Sequence, residues 1–363
     1  TFSNPAAILS LGNGLSSDVT RFIGVFYAEA TPLKGLSLKT QYGVDYARIE
    51  EQRFWSPLHG DGVNSKGLAN AYNTKNNRWT WTNTATYNFS LGQNNFNLLA
   101  GTEASERNNS RWTAQRKDLQ DDKFVVFQGP FGSATAGGSL SNNTMVSYFG
   151  RINYDYASKY IVSLNYRRDG YSALSEKNRW GNFGGVSAAW RNVVDDLKIK
   201  GSYGVVGNTD IYDYASKSFY SSYNYGINGT YGLAQIADPN LKWESSEKYS
   251  IGFNARLLDR ISVDFDYYYT KSSDLILDVP QSPSKGIPGN IITTNAGKMK
   301  NSGIELTVSA DVIRNSQFTW ETSFNITTNK NKVISLADGV ENILKGDNGG
   351  LEITNITVPG KSI

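Results

Sequence analysis

The chain has 363 residues and a net charge of only +3, which gives no indication of nucleic-acid binding. It contains no cysteine and one histidine, so neither a disulfide framework nor a two-histidine metal site can be built from it. Aromatic residues reach 13% while hydrophobic residues make up only 39% of the chain, a balance that favours one large β architecture over two soluble domains.

Apolar and polar residues alternate with a period of two along most of the chain. In ISVDFDYYYTKSSDLIL, Ile261, Val263 and Phe265 take one set of positions while Asp264 and Asp266 take the other. Successive side chains of a strand point to opposite faces, so each such segment predicts a strand with one apolar and one polar face. The predicted strands lie near 21–31, 36–51, 77–89, 95–107, 144–156, 159–171, 182–191, 196–206, 243–257, 260–277, 300–313 and 317–331.

The connections between these strands alternate between short and long. The short ones are 32–35, 90–94, 157–159, 192–196, 257–260 and 313–317; the longer polar ones are 52–76, 108–143, 172–181, 207–242 and 278–299. Transmembrane barrels have short periplasmic turns, long extracellular loops and aromatic girdles, and this chain has aromatic residues near many strand ends. We therefore predict an all-β fold, an antiparallel up-and-down transmembrane β-barrel. The alternative is a soluble β-sandwich or β-helix whose apolar faces form a core.

Six stretches in residues 145–336 resemble the SusC/RagA-type TonB-dependent transporters of the bacterial outer membrane. They are FGRINYDYASKYIVSLNYRRDGYSAL (149–174), NRWGNFGGVSAAWR (178–191), LKIKGSYGVVGN (197–208), DPNLKWESSEKYSIGFNARLLDRISVDFDYYYTKSSDLIL (238–277), NAGKMKNSGIELTV (295–308) and TTNKNKVISL (327–336). Their order and spacing fit the family. Residues 1–144 are compatible with earlier barrel strands but carry no signature of it.

The resemblance implies that residues 1–363 are part of a TonB-dependent receptor barrel of about 22 strands. The signal peptide, plug domain and closing strands of such transporters are expected to lie outside this chain. The implied function is import of oligosaccharides or peptides across the outer membrane, without bond chemistry and without a cofactor. The implied partners are outer-membrane lipid, a SusD-like lipoprotein and TonB, with no nucleic acid. A passive porin-like or adhesive barrel is the main alternative, and an outer-membrane enzyme is a further one.

Two groups of residues are candidates for contact with the transported molecule. Charged residues on the polar strand faces are expected to face the lumen, where they either contact solute or form a solvated network against the plug. They are Arg151, Asp155, Arg167, Asp264, Asp266, Glu305, Asp311 and Glu321. Tyrosines in a long loop, SFYSSYNYGINGTYGL, can stack on sugars, contact a lipoprotein lid or pack the loop on itself. They are Tyr220, Tyr223, Tyr225 and Tyr231.

Catalytic and metal sites find little support in the sequence. The single histidine, His59, lies in the loop segment SPLHGDG with no nucleophile motif nearby, so it is expected to be an ordinary surface residue. The GKS at 360–362 lacks the glycine that a phosphate-binding loop would need at 355, where Asn355 stands. No catalytic residue and no metal ligand is predicted.

Overall fold

The fold was analysed in a computed structural model, which describes residues 6, 14–121, 123–192, 197–208, 210–226, 228–337, 339–347 and 352–362. Almost all regular structure in these residues is β-strand. The strands are β1 Gly14–Leu33, β2 Leu36–Trp55, β3 Leu68–Leu91, β4 Asn94–Leu119, β5 Phe131–Tyr156, β6 Tyr160–Tyr171, β7 Trp180–Asn192, β8 Leu197–Asn208, β9 Phe219–Tyr225, β10 Asn228–Gln235, β11 Glu244–Leu257, β12 Ile261–Pro280, β13 Ile291–Arg314, β14 Thr319–Leu336, β15 Ile343–Asp347 and β16 Glu352–Thr357. Short 3₁₀ turns lie at Gly60–Ser65, Glu176–Asn178, Pro283–Lys285 and Pro288–Asn290.

Twelve of the strands form one sheet. Its order is β1-β2-β3-β4-β5-β6-β7-β8-β11-β12-β13-β14, so each strand is hydrogen-bonded to its neighbour in the chain, apart from the hairpin inserted between β8 and β11. All twelve predicted strands are therefore present, in up-and-down order. The pairs β9–β10 and β15–β16 form separate two-stranded sheets that the sequence did not predict. No helix in the described part of the chain is long and apolar enough to span a membrane.

The chain divides into two compact units. The first comprises residues 1–28, 40–82 and 104–144; the second comprises 29–39, 83–103 and 145–363. In the first unit, Arg21 on β1 forms an ion pair with Asp45 on β2, at 2.7 Å between Nη2 and Oδ2. The second unit contains all of β6 to β16 and every predicted site residue.

The predicted short turns of the second unit are confirmed where the structure describes them. Residues 157 and 158 both have positive φ, and Lys159 N donates to the Tyr156 carbonyl at 2.9 Å. Leu258 and Asp259 repeat this geometry, with Arg260 N donating to the Leu257 carbonyl at 3.0 Å. Two successive residues with positive φ make a type I′ turn, whose twist matches that of paired antiparallel strands. Of the predicted turn 192–196, residues 193–196 lie outside the described part.

The prediction of long loops was wrong for several segments, which are largely strand. β3 begins at Leu68, β4 continues to Leu119, β5 begins at Phe131 and β13 begins at Ile291. Residues 132–140 show why the sequence pattern missed these segments. Consecutive side chains there are exposed on both faces of β5. A strand with two polar faces has no alternation of hydrophobicity, so the pattern that identifies a strand is absent.

The connections at the long-loop end of the second unit form a small buried core. Its members are Tyr171, Ala173, Leu174, Ala215, Leu241 and Trp243. Leu241 is 0% exposed, and its carbonyl accepts hydrogen bonds from Ser175 Oγ at 2.9 Å and Ser175 N at 3.3 Å. Trp243 Nε1 donates to the Arg179 carbonyl at 2.9 Å. The segment DPNLKWE therefore anchors the loops to one another and to the sheet.

Candidate functional site

Strand β12 carries Asp264 and Asp266 on one face, as predicted from the alternation in ISVDFDYYYTKSSDLIL. Asp264 lies opposite Asn254 and Asp266 lies opposite Gly252, both on β11. Lys200, one strand further on β8, brings its Nζ within 2.6 Å of Asp266 Oδ2 and 3.5 Å of Asp264 Oδ1. The sequence did not predict this lysine as the partner, because the pairing depends on the register of three strands.

Gly252 explains how Lys200 reaches across a whole strand. It pairs with Lys200 on one side and with Asp266 on the other. A Cβ at this position would lie 2.3 Å from Asp266 Oδ1 and 2.3 Å from the Phe265 carbonyl oxygen. A glycine in a strand interior often marks such a close approach, and here it leaves room for the ion pair.

Arg167 on β6 is the centre of a second polar cluster. Its Nε donates to Asp169 Oδ1 at 2.6 Å, and its Nη2 donates to Glu103 Oε1 at 3.1 Å and to Ser147 Oγ at 2.8 Å. Its guanidinium also lies over the Phe149 ring, 5.3 Å from the centroid. With two carboxylates and an aromatic face around it, this arginine is held in place and its charge is balanced.

The other predicted charged residues lie on the same face of the sheet. Arg151 donates from Nε to Asn165 Oδ1 at 2.8 Å, and Asp155 accepts from Asn95 Nδ2 at 3.1 Å. The pairing register from β5 to β14 places all eight on one face, called here the polar face: Arg151, Asp155, Arg167, Asp264, Asp266, Glu305, Asp311 and Glu321.

Two pairs of like charges lie directly opposite each other on this polar face. Glu305 pairs with Asp266, and Asp311 pairs with Glu321. Opposed like charges destabilise a sheet. Lys200 offsets the first pair, and Arg314 Nη1, 3.8 Å from Asp311 Oδ2, lies near the second.

The opposite face, called here the aromatic face, carries rings stacked from strand to strand. Tyr203 and Tyr249 have centroids 4.8 Å apart, and Phe253 and Phe265 have centroids 5.6 Å apart. Six aromatic residues next to short turns are all partly or fully exposed: Tyr87, Phe89, Tyr154, Tyr156, Trp190 and Trp320. Tyr148 and Ile251, on the same face, are 50% and 60% exposed. A sandwich would bury such side chains between its two sheets, so their exposure favours the predicted barrel wall.

The four candidate tyrosines lie on the hairpin β9–β10 rather than in an irregular loop. Tyr223 pairs with Thr230 and Tyr231 pairs with Ser222. This register places Tyr220 and Tyr231 on one face of the hairpin and Tyr223 and Tyr225 on the other, so the four do not form one cluster. The Tyr223 ring lies against Gly232, where a Cβ would be 2.7 Å from it.

Comparison with known proteins identifies the family to which this chain belongs. Residues 9–357 match the family model described as TonB dependent receptor-like, beta-barrel. The chain belongs to this TonB-dependent receptor β-barrel family. It is accordingly part of a bacterial outer-membrane barrel, and the family is one of receptors rather than enzymes.

Individual relatives agree with this assignment. TonB-dependent receptor P3 of Formosa agariphila is 33% identical over 334 residues, covering 86% of this chain and 33% of that protein. TonB-dependent receptor SusC of Bacteroides thetaiotaomicron is 29% identical over 378 residues, covering 93% and 35%. The chain thus spans about one third of the length of these relatives. A solved RagAB peptide transporter superposes with a TM-score of 0.84 over 96% of this chain and 40% of that one, at 24% identity, which shows a common fold.

The described residues of this receptor barrel contain no group of three His, Asp or Glu side chains arranged to hold a metal ion. His59, half-buried, directly precedes the 3₁₀ turn Gly60–Ser65 in the first unit. It remains a predicted surface residue. Residues 167–170 and 179–181 lie at the ends of adjacent strands, where Gly170 pairs with Trp180 and Arg168 lies over the Trp180 ring at 5.1 Å from the centroid.

Proposed function

We propose that the full-length protein is an active outer-membrane importer of oligosaccharides or peptides. The observation that carries the proposal is the family match over residues 9–357, supported by the SusC likeness across 93% of the chain. Residues 1–363 supply part of the barrel wall. A plug domain elsewhere in the full-length protein, acted on by the separate inner-membrane protein TonB, supplies the energy coupling.

In this proposal the polar face lines the lumen and the aromatic face contacts lipid. The charge distribution supports that orientation, because all eight candidate charges share the polar face while the aromatic face carries tyrosine, tryptophan and phenylalanine. A charged side chain on the lipid face costs about 2–4 kcal/mol at the bilayer midplane for Arg or Lys. The opposite orientation would place Asp264, Asp266 and Lys200 in hydrocarbon.

The hairpin β9–β10 is proposed to contact the ligand or a SusD-like surface lipoprotein. It is anchored at its base by Gln235, whose Nε2 donates to the carbonyls of Tyr214 at 3.1 Å and Lys217 at 2.9 Å. Beyond this anchor it presents tyrosines to solvent. Tyrosine offers a large apolar ring with a polar tip, which suits either a sugar or a protein surface.

The test is uptake by cells that carry the full-length protein. A strain lacking its gene should lose growth on its oligosaccharide or peptide nutrient, and the intact gene should restore it. Removal of TonB, or collapse of the inner-membrane proton gradient, should abolish uptake equally. Uptake that persists without TonB would identify a passive pore and contradict the proposal.

A further inference from the structure

The polar face carries a depression of about 550 Å³ whose lining comes from β4 to β8. Its floor is bare backbone, because Gly185 on β7 and Gly204 on β8 are directly paired and neither has a side chain. Leu99, Phe149 and Val206 are among the apolar residues around it. This volume lies in the range of small-ligand sites, about 300–1,000 Å³.

The two arginines at this depression differ in their surroundings. Arg167 is balanced by Asp169 and Glu103. Arg151 is exposed, and its Nε donates only to the neutral amide of Asn165. Its Nη groups have no hydrogen-bond partner within the described part of the chain. A guanidinium with both Nη groups available presents a fork that matches the two oxygens of a carboxylate.

We propose that this depression binds the C-terminal residue of an imported peptide, with its carboxylate on Arg151 and an apolar side chain over the Gly185–Gly204 floor. The inference rests on the proposed import function and selects the peptide class within it. The guanidinium beside an apolar recess matches a carboxylate attached to an apolar group, which is the chemistry of such a peptide terminus.

Among the oligosaccharides of the proposed function, an acidic sugar also carries a carboxylate. Its ring bears hydroxyl groups, and each hydroxyl taken from water without a hydrogen-bond partner costs free energy. Of the polar side chains in the lining, Asn165 is bonded to Arg151, and Arg167 and Asp169 are bonded to each other. The rest is largely glycine and apolar surface, including Leu99, Phe149 and Val206, and offers few such partners. The lining therefore favours a peptide end over a uronate.

The first experiment measures binding to the full-length receptor purified from outer membranes, by calorimetry. The probes are the pentapeptide AAAAL, its C-terminal amide and tetragalacturonate. Loss of a bidentate charge-assisted contact should weaken binding by about tenfold or more, so the amide should bind that much more weakly than the free acid. Arg151→Gln should remove the difference between acid and amide. Lys198→Gln, the same charge change elsewhere on the polar face, should preserve it.

The second experiment fills the depression without removing a charge. A Cβ on Gly204 would have its nearest neighbours at 3.7 and 3.8 Å, so Gly204→Leu is compatible with the backbone and places its side chain over the floor. Gly201→Leu is the matched control, because Gly201 lies on the same strand, faces the aromatic side and has its nearest neighbour at 3.8 Å. Gly204→Leu should weaken AAAAL binding by about tenfold or more, and Gly201→Leu should not.

The possible outcomes separate this inference from the import function. Equal binding of acid and amide, or an Arg151→Gln variant that retains the difference, would overturn the inference. So would preferential binding of tetragalacturonate, although import would stand. If Arg151→Gln instead loosens the plug domain towards protease while AAAAL binding is unchanged, the depression receives the plug and the inference fails. TonB-independent uptake would contradict the import function itself.

Discussion

Lys200 and Asp266 are separated by an intervening strand, yet the Lys200 Nζ lies 2.6 Å from Asp266 Oδ2 because the residue between them is Gly252. The ion pair is half-exposed, so its own contribution to stability is small, about 0–1 kcal/mol. The ion pair can form only if the middle strand, β11, has no side chain at position 252.

Replacement of Gly252 by valine is expected to impair assembly. The new Cβ would lie 2.3 Å from the Phe265 carbonyl oxygen, a backbone atom that cannot move without disturbing the β11–β12 pairing. Overpacking of this kind typically costs about 1–3 kcal/mol. The measurement is the amount of heat-modifiable full-length receptor in outer membranes. Gly201→Val, whose Cβ has its nearest neighbour at 3.8 Å, is the control and should assemble normally.

The orientation of β12 is tested by a pair of substitutions on adjacent residues. Phe265→Arg places a charge on the aromatic face beside Phe253 and should reduce outer-membrane levels, since the cost at the bilayer midplane is about 2–4 kcal/mol. Asp264→Asn removes a charge from the polar face and should leave assembly intact. Quantitative blotting of surface-exposed receptor distinguishes the two. The reverse ranking would mean that the polar face contacts lipid.

The buried core of the loops is expected to depend on Leu241. Leu241→Ala removes a side chain that is 0% exposed, and such truncations cost about 2–5 kcal/mol where the cavity does not collapse. Hydrogen exchange of the backbone at 171–179 should accelerate in the full-length variant. Leu258→Ala, at a short turn where leucine is 87% exposed, is the matched control. Unchanged protection in Leu241→Ala would show that the loops are held by hydrogen bonds alone.

The two faces of the β9–β10 hairpin are expected to behave differently. Tyr220 and Tyr231 are 69% and 81% exposed, so their joint replacement by alanine should reduce binding of ligand or lipoprotein. Tyr223 lies against Gly232, so Tyr223→Ala should chiefly increase cleavage of the hairpin by protease. Copurification of the lipoprotein, nutrient uptake and limited proteolysis are the three measurements. Equal effects on binding from both variants would contradict the division by face.

Much of the fold follows from local pattern. Alternation as in Ile261–Tyr269 sets the two faces of a strand, and residue pairs such as Leu258–Asp259 lie at tight turns. The number and order of the strands in the twelve-stranded sheet could therefore be predicted from the sequence. The ends of β3 to β5 could not be predicted, because apolar and polar residues do not alternate there with a period of two. The hairpin β9–β10 was missed for a related reason, since its strands mix tyrosine, which favours strands, with glycine and asparagine, which favour turns.

The candidate site likewise has a part that the sequence predicted and a part that only the structure showed. Alternation alone placed Asp264 and Asp266 on the polar face. Only the pairing register across several strands brought Lys200 to Asp266, balanced Arg167 with Glu103, and placed the Gly185–Gly204 pair in the same depression as Arg151. The residues of these pairs are 19 to 66 positions apart in the chain. Their proximity depends on the register in which neighbouring strands form backbone hydrogen bonds. That register cannot be read from the residues adjacent in the sequence.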